Sequence, residues 1–474
     1  MKKVLIVTYY YPPSPPVGGV RPSKFARFLS EFGWEPIVLA VADPTATEAL
    51  TPNANVEVYR VSEWPHPLKT YYRIMEQRAQ KRGRVEEFML QMSPRYVVAM
   101  SRPKRGIARV KRWLVSFMRL PDEELGWLIP AILKGIKLIR EKKITHLVTT
   151  APPFTSQLVG LAIKRFTGVR WVADFRDPWS LRDKYTASGN RITDALELRL
   201  IRSVMKFADI VLSVSSPMTE QLKKEHPDLD PDKFVTLTNG FDPSDFASLQ
   251  HSRPMSGQTL FSYIGEFAYG RTPATFLRAL KSLIDDGTLN RAEVRVKFVG
   301  TVAFAEGQSV TEMVRSFGLE EIVSMEPLVP RRQALQRALE SQVLLVLTEQ
   351  HSFALTFKLF DALAAGATIL NIGSKGAVAD VLAKTGRGIA VEHTNVAEIR
   401  NGILECIKRS RSGEGQRSPE PWNDPSIQAF NFQCLTRELA KILNGLDEKT
   451  SGLDRREGAT DANAKPDGLG GAVA

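Results

Sequence analysis

Short apolar runs alternate with segments of helical periodicity from the first residues onward. Residues 4–7 form an apolar run of the kind that fills a buried parallel strand, and 37–41 form another. Between them, residues 23–32 place their large apolar side chains on one helical face, and Gly33 follows at the position where a glycine ends a helix. The N-terminus therefore predicts a strand, a loop, a helix and a second strand.

The same alternation continues through the chain in two series. The first predicts strands at 146–149, 170–173 and 210–214, with a helix at 154–165. The second predicts strands at 259–264, 294–299, 343–347 and 368–372, with helices at 273–283, 335–340, 357–365 and 396–408. Repeated strand–helix units predict an α/β fold of two Rossmann-like, doubly wound domains that face each other across a cleft. Ligands of such sheets bind at the carboxyl ends of the strands.

A chain of 474 residues is too long for one ordinary hydrophobic core, which agrees with two domains. We expect an N-terminal domain over 1–245, a C-terminal domain over 255–410, and C-terminal helices over 411–443 that pack back on the N-terminal domain. Residues 444–474 carry glycine and charge with few large apolar residues, and this composition predicts a disordered tail.

The net charge of +12 is concentrated in one segment. Residues 69–112 carry thirteen basic and three acidic side chains, so an insertion over 68–120 accounts for most of the excess. Three interpretations are open: contact with an anionic membrane surface, contact with nucleic acid, and a solvated charged insertion. No recognisable nucleic-acid module accompanies the charge, so nucleic acid is not an expected partner.

The remaining composition indicates the compartment. Cys406 and Cys434 cannot form a disulfide framework, and low cysteine content suits a reducing cytoplasm. No apolar stretch approaches the length of a membrane span, and the apolar run at the N-terminus is too short for a signal peptide. We expect a cytoplasmic protein, with peripheral attachment to the inner face of the plasma membrane as an option.

Two blocks in the N-terminal half carry candidate chemistry. Gly18 and Gly19 lie in a proline-rich loop just before a helix that contains Arg21, where the backbone could approach an anion or simply make a tight turn. In the second block a strand ends at Asp174, Arg176 and Asp177, in the sequence 171–179. These charges could contact a sugar, or they could tie loops together.

Two blocks in the C-terminal half complete the set. Gly265 follows a strand, and Arg271 lies just before a helix, where a guanidinium could stabilise a diphosphate or remain solvated. The run 358–370 opens a helix with Lys358 and Asp361, and Lys358 could reach a phosphate or be an exposed helix residue. An Asn-Gly turn at Asn239 separates the two halves.

Together these blocks resemble the GT-B family of retaining glycosyltransferases, especially family 4-like members that build bacterial polysaccharides and glycolipids. The resemblance implies catalytic roles for Asp174, Asp177 and Arg271, donor binding by Gly18, Gly19, Gly265, Arg271, Lys358 and Asp361, and acceptor-side roles for Arg21 and Arg176. The sequence departs from the family in two places: Asp361 stands where relatives have glutamate, and Phe353 replaces a glutamate that many relatives direct toward the sugar.

The resemblance implies a hexosyltransferase that moves a sugar from a nucleotide-sugar to a polysaccharide, glycolipid or lipid-linked acceptor, with retention and with neither metal nor cofactor. Two alternatives remain. One is a nucleotide-sugar epimerase of the same fold, and the other is a catalytically silent, membrane-associated protein that binds nucleotide-sugars.

Overall fold

The structure, a computed structural model, describes residues 1–13, 17–42, 56–81, 117–179, 191–250, 257–268, 270–348, 353, 355–412 and 420–461. Most of the predicted basic insertion, 82–116, and the last residues of the predicted tail lie outside these ranges.

The first lobe is built on a parallel sheet of seven strands. The strands are β1 (Lys2–Val7), β2 (Trp34–Val41), β3 (Glu57–Val61), β4 (His146–Ala151), β5 (Arg170–Phe175), β6 (Ile210–Ser213) and β7 (Phe234–Thr236). The helices are α1 (Val20–Phe28), α2 (Pro67–Lys81), α3 (Leu128–Lys142), α4 (Thr155–Thr167), α5 (Arg191–Phe207) and α6 (Ser216–Glu225). The strand order is β3-β2-β1-β4-β5-β6-β7, and every pairing is parallel.

The second lobe repeats this plan with six parallel strands. They are β8 (Thr259–Glu266), β9 (Val294–Thr301), β12 (Val323–Glu326), β13 (Val343–Thr348), β14 (Thr368–Gly373) and β15 (Gly388–Val391), beside a small hairpin of β10 (Phe304–Ala305) and β11 (Gln308–Ser309). The helices are α7 (Ala274–Asp285), α8 (Val310–Ser316), α9 (Arg331–Glu340), α10 (Phe357–Ala365), α11 (Ala377–Thr385) and α12 (Val396–Arg411). The strand order is β12-β9-β8-β13-β14-β15.

Both sheets reverse their strand order at one point. In the first lobe the chain leaves β1 toward β2 and returns on the other side at β4, and in the second it leaves β8 toward β9 and returns at β13. The loops diverge at such a switch point and leave a crevice at the carboxyl ends of the two central strands. The predicted α/β class with two doubly wound sheets is confirmed, and the fold directs attention to these two crevices.

The local signals explain where elements end. Gly33 adopts a left-handed φ of +83° after a short 3₁₀ turn that extends α1, so the predicted stop is confirmed. The helix itself begins earlier than predicted, at Val20, because the loop glycines lead directly into it. The short strands β3, β7, β12 and β15 were not predicted, because they have few residues and are only partly buried.

The last helix, α13 (Phe432–Asp461), lies against the first lobe. Its apolar side chains join the core between α1 and the first sheet, and the deepest of these are Leu439 and Leu443. The predicted disordered tail is wrong for residues 444–461, which are helical. Leu446 is buried, and Asp447 forms ion pairs with Lys2 and Arg170, so these contacts hold a segment whose composition alone predicted disorder.

Within the described ranges, none of the helices combines the length and the apolar character that crossing a bilayer requires.

Candidate functional site

A pocket opens at the switch point of the second lobe. It lies between the ends of β8 and β13, the loop after β8, and the start of α10, and it is lined by Tyr263, Arg271, Val346, Leu347, Thr348, Thr356 and Lys358. The structure thus brings together Arg271 and Lys358, two residues that the sequence singled out in separate motifs. The other lining residues were not predicted, although Tyr263 and Thr348 could have been found as polar residues near the ends of the two central strands.

Lys358 is held in the pocket by Tyr263 and by a glycine. The ammonium Nζ donates to the Tyr263 hydroxyl at 3.1 Å and lies 4.6 Å from the centre of its ring. The hydroxyl in turn donates to the Glu266 carbonyl at 2.6 Å, so its proton is already used. Gly265 has a φ of +143°, and a Cβ there would come within 2.0 Å of the Lys358 Nζ. The predicted glycine therefore makes room for the lysine.

The pocket carries positive charge. Within the described part of the chain, no carboxylate forms an ion pair with Arg271 or Lys358. Burial and the neighbouring Arg271 guanidinium lower the pKa of Lys358 to about 7, although Glu266 acts in the opposite direction. Two cations that repel each other in a partly buried site are stabilised when an anion binds between them.

The first turn of α10 adds further anion-binding groups. Thr356 is the N-cap residue of this nine-residue helix, and its side chain makes no capping hydrogen bond. The Leu359 N–H donates to the Thr356 carbonyl at 3.1 Å, whereas the N–H groups that precede it have no partner within the helix and carry its partial positive charge. Because Thr356 and Lys358 line the pocket, the start of this helix adds its partial positive charge to that of the two cations.

Asp361 lies one turn further along α10 and is already paired. Both carboxylate oxygens accept hydrogen bonds from Arg331 at the start of α9, at 3.0 and 2.9 Å. Burial raises the pKa of Asp361, and Arg331 partly offsets this effect. Arg331 also lies 3.5 Å from Asp245 in the segment between the lobes. The predicted contact of Asp361 with a ribose stays a prediction, and Arg331 is a partner that the sequence did not suggest.

The loop before α10 is fixed to the first lobe. Ser215 donates through its hydroxyl to the Phe353 carbonyl at 2.7 Å, and Asn239 donates to the Leu355 carbonyl at 2.8 Å. The Phe353 side chain packs against the core of the first lobe. The residue that replaces the family's second glutamate thus forms a contact between the lobes.

In the first lobe, Arg21 and Asp174 form a buried ion pair. Their side chains are 0% and 2% exposed, and the guanidinium Nε and Nη2 donate to the two carboxylate oxygens at 2.9 Å. Thr150 also donates to the carboxylate, and Arg21 donates to the Leu237 carbonyl. The predicted catalytic role of Asp174 and acceptor-side role of Arg21 stay predictions, and in this structure the two side chains are buried and hydrogen-bonded to each other. The pair ties α1, β5 and the end of the first sheet together.

The Arg176 side chain connects two loops of the first lobe. Its guanidinium donates to the carbonyls of Gly18, Ala151 and Pro152, which joins the glycine loop to the loop after β4. The predicted acceptor-side role of Arg176 stays a prediction. A Cβ on Gly18 would lie 2.8 Å from the Tyr10 ring, and a Cβ on Gly19 would lie 3.3 Å from the Tyr10 backbone, so both glycines serve close packing.

The 171–179 block contains three charged residues with a predicted role: Asp174, Arg176 and Asp177. Of these, Asp177 is exposed, and it lies at the carboxyl edge of the first sheet. No cluster of three or more metal-ligating side chains occurs among the residues that the structure describes.

Known proteins resemble this chain in sequence over part of its length and in fold over most of it. Residues 94–245 match the model of Glycosyltransferase Family 4. Sucrose-phosphate synthase from Thermosynechococcus elongatus superposes with a TM-score of 0.64 at 11% identity, over 95% of this chain and 100% of that one. HepE from Anabaena, solved with UDP and with UDP-glucose, gives 0.60 at 13% identity, over 94% and 100%. WaaG, a glycosyltransferase of lipopolysaccharide biosynthesis, gives 0.55 at 13% identity, over 93% and 100%.

Comparison of the sequence with curated proteins returns no match. The structural comparisons establish the class: the chain has the GT-B fold of two Rossmann-like lobes.

Proposed function

We propose that the protein is a glycosyltransferase whose second lobe binds a nucleotide-sugar by its diphosphate. The observation that carries this proposal is the pairing of Arg271 and Lys358 in one pocket, beside the start of α10 and at the switch point of the sheet. The pocket offers two cations and free N–H groups to an anion, and HepE, which shares the fold, was solved with UDP and UDP-glucose.

The same groups would assist the reaction. When the bond between the anomeric carbon and the diphosphate breaks, negative charge grows on the departing nucleoside diphosphate, and a fixed guanidinium and ammonium stabilise it. This role requires no metal ion, and we propose a metal-independent hexosyl transfer with retention at the anomeric carbon. The acceptor oxygen forms the new bond to that carbon, and its hydroxyl proton passes to the departing nucleoside diphosphate.

Two proteins with this fold are linked to lipopolysaccharide: WaaG, a glycosyltransferase involved in its biosynthesis, and the lipopolysaccharide outer core galactosyltransferase WaaB, which gives a TM-score of 0.54 at 12% identity. By analogy, we propose a glycan, glycolipid or lipid-linked acceptor of the cell envelope, used on the cytoplasmic face of the membrane. The activity test measures release of nucleoside diphosphate from a panel of UDP- and GDP-sugars, with and without glycolipid extracts as acceptor. Acceptor-dependent release supports the proposal, and the anomeric configuration of the product decides retention.

The alternatives predict different products. An epimerase would convert the nucleotide-sugar without an acceptor, and a catalytically silent protein would show a ligand-induced rise in melting temperature with no release of diphosphate. Either result would contradict the proposed transfer.

Peripheral membrane contact through 68–120 is part of the proposal. In the described part of this segment, Tyr71 and Ile74 on α2 and Phe117 are exposed apolar residues, and Arg73 is an exposed cation. Exposed apolar and basic side chains together suit an anionic bilayer surface. Co-sedimentation with phosphatidylglycerol vesicles should exceed that with phosphatidylcholine vesicles, and Tyr71→Ser with Ile74→Ser should reduce it. Equal sedimentation with both vesicle types would contradict membrane contact by charge.

A further inference from the structure

Asp361 belongs to a network of charged side chains that links the two lobes. Ion pairs join α10 to α9, α9 to the 3₁₀ turn at Pro243–Asp245, and that turn and its capping residue to α1. The network consists of three carboxylates, Asp242, Asp245 and Asp361, and three cations, Lys24, Arg27 and Arg331. It is balanced in charge, so it suits a neutral part of a ligand better than it suits a phosphate.

Arg331 fixes the orientation of the Asp361 carboxylate. The guanidinium Nη1 and Nη2 donate to Oδ2 and Oδ1 at 3.0 and 2.9 Å, so the two planar groups meet fork to fork. These parallel hydrogen bonds use about two of the roughly four acceptor positions of a carboxylate. The Asp361 side chain is 15% exposed. The carboxylate is therefore held in one orientation, with acceptor positions left for a ligand.

Asp245 is the second carboxylate near Arg331, and its short contact lies elsewhere. Its Oδ2 is 3.5 Å from the Arg331 Nη2, whereas its Oδ1 accepts from the Lys24 ammonium at 2.5 Å. Lys24 also donates to Asp242 at 2.8 Å. The short hydrogen bonds thus divide the network into two parts, and the close carboxylate partner of Arg331 is Asp361.

We propose that Arg331 is a positioning residue for nucleoside recognition, which orients the Asp361 carboxylate so that its remaining acceptor positions receive the hydroxyl groups of a ribose. The inference rests on the proposed binding of a nucleotide-sugar, and it adds a residue on α9 that acts through Asp361. Arg331 is assigned no contact with the ligand and no part in bond breaking.

The ionisation of Asp361 gives a readout that a purely structural role would not change. Burial raises the pKa of Asp361, and the charge and hydrogen bonds of Arg331 offset part of this rise. Of the other charged groups around the carboxyl, Asp245 raises its pKa and Lys24 on α1 lowers it. Without Arg331 the pKa of Asp361 rises further, and a protonated carboxyl has fewer acceptor positions. Loss of Arg331 should therefore weaken nucleoside binding most at low pH.

The test measures binding of UDP, GDP and pyrophosphate to the full chain by calorimetry, from pH 6 to pH 8. For the nucleotide that wild type binds more tightly, we expect Arg331→Met to lose about tenfold in affinity at pH 7 and more at pH 6. Pyrophosphate affinity should not change. The losses are taken relative to wild type at each pH, so the titration of the ligand itself cancels.

Arg331→Lys separates charge from geometry. It keeps the cation and loses the planar fork, so nucleotide affinity should still fall, but the loss should not grow toward pH 6. Arg332→Met is the matched control, because Arg332 is the next residue of α9, is exposed and donates to the Ser248 carbonyl. This control should bind all three ligands as wild type does.

Two results would overturn the positioning role and leave the donor pocket in place. One is wild-type nucleotide affinity in Arg331→Met, and the other is an equal loss for nucleotide and pyrophosphate. If Arg331→Met does not fold, the same comparison in Arg331→Lys decides. Wild type that binds pyrophosphate as tightly as either nucleotide would also overturn this role. Wild type that binds none of the three ligands would contradict the proposed donor site and this inference together.

Discussion

Arg271 and Lys358 line the same pocket, although one belongs to the loop after β8 and the other to the first turn of α10. Neither forms an ion pair within the described residues, and the two meet at the switch point of the second sheet. The charge of this pocket is the basis for assigning it to the donor diphosphate.

Gly265 should prove essential for this pocket. Gly265→Ala places a Cβ on the Lys358 ammonium and also strains a backbone with φ of +143°, so the lysine must leave its position. We expect UDP affinity, measured by calorimetry, to fall about tenfold or more.

Gly287→Ala is the control for backbone strain. Gly287 has a φ of +74°, but its Cβ would meet no atom within 4 Å, so only the left-handed conformation is penalised, by about 1–2 kcal/mol. This variant should have a lower melting temperature than wild type and should bind UDP with the same affinity. If Gly265→Ala also binds normally, the glycine does not position Lys358.

Donor binding should weaken as the pH rises above about 7. The pKa of Lys358 is lowered to about 7 in the free protein, and a bound diphosphate raises it, so binding takes up a proton. Affinity is then highest below the free pKa and falls by roughly tenfold per pH unit above it, up to the pKa of the complex. UDP-glucose is the suitable probe, because its diphosphate diester does not titrate in this range.

Calorimetry of UDP-glucose in buffers of different ionisation enthalpy should show this proton uptake in wild type. Lys358→Arg, which stays charged, should bind without it. Equal proton uptake in the two proteins would assign the titration to another group.

Asp361 should act on the nucleoside and not on the phosphates. Its carboxylate has lone pairs left after the bidentate contact with Arg331, and these can accept hydroxyl groups of a ribose. We expect Asp361→Ala to weaken UDP about tenfold and to leave pyrophosphate binding unchanged. An equal loss for both ligands would make Asp361 a structural partner of Arg331 only.

The Arg21–Asp174 pair should be critical for stability. Arg21→Met leaves a buried carboxylate without its partner, and this typically destabilises by about 3–5 kcal/mol. The double variant Arg21→Met, Asp174→Leu should recover part of the loss, because no lone buried charge remains. Denaturation monitored by circular dichroism measures the free energy of unfolding of the single and the double variant.

Lys137→Ala removes the exposed ion pair with Glu141 and serves as the control. We expect it to change the free energy of unfolding by at most about 1 kcal/mol. If Arg21→Met unfolds at the same denaturant concentration as this control, the buried pair does not stabilise the lobe.

The sequence predicted the parts of the molecule that depend on local patterns. Buried parallel strands appear in the sequence as apolar runs. Gly265 and Arg271 could be recognised because an apolar run, a glycine and a helix start follow one another, although Gly265 is itself the penultimate residue of β8. Whether a charged residue faces a cleft or the core depends on distant elements. Arg21 and Asp174 are far apart in sequence, and only the packing of α1 on β5 shows that they neutralise each other.

Arg331 illustrates the same limit. It belongs to no motif, and its pairing with Asp361 depends on the packing of α9 beside α10. The tail shows the opposite error: composition predicted disorder from residue 444, whereas Leu446 and Asp447 are fixed by contacts with the first lobe.

The most direct test of the donor site is calorimetric titration of UDP into wild type, Arg271→Ala, Lys358→Met and the control Arg278→Ala, which removes an exposed arginine on α7. We predict that wild type and Arg278→Ala bind UDP equally, and that each pocket variant loses about 10–100-fold in affinity while remaining folded. Equal affinity in all four proteins would contradict the assignment of this pocket to the diphosphate.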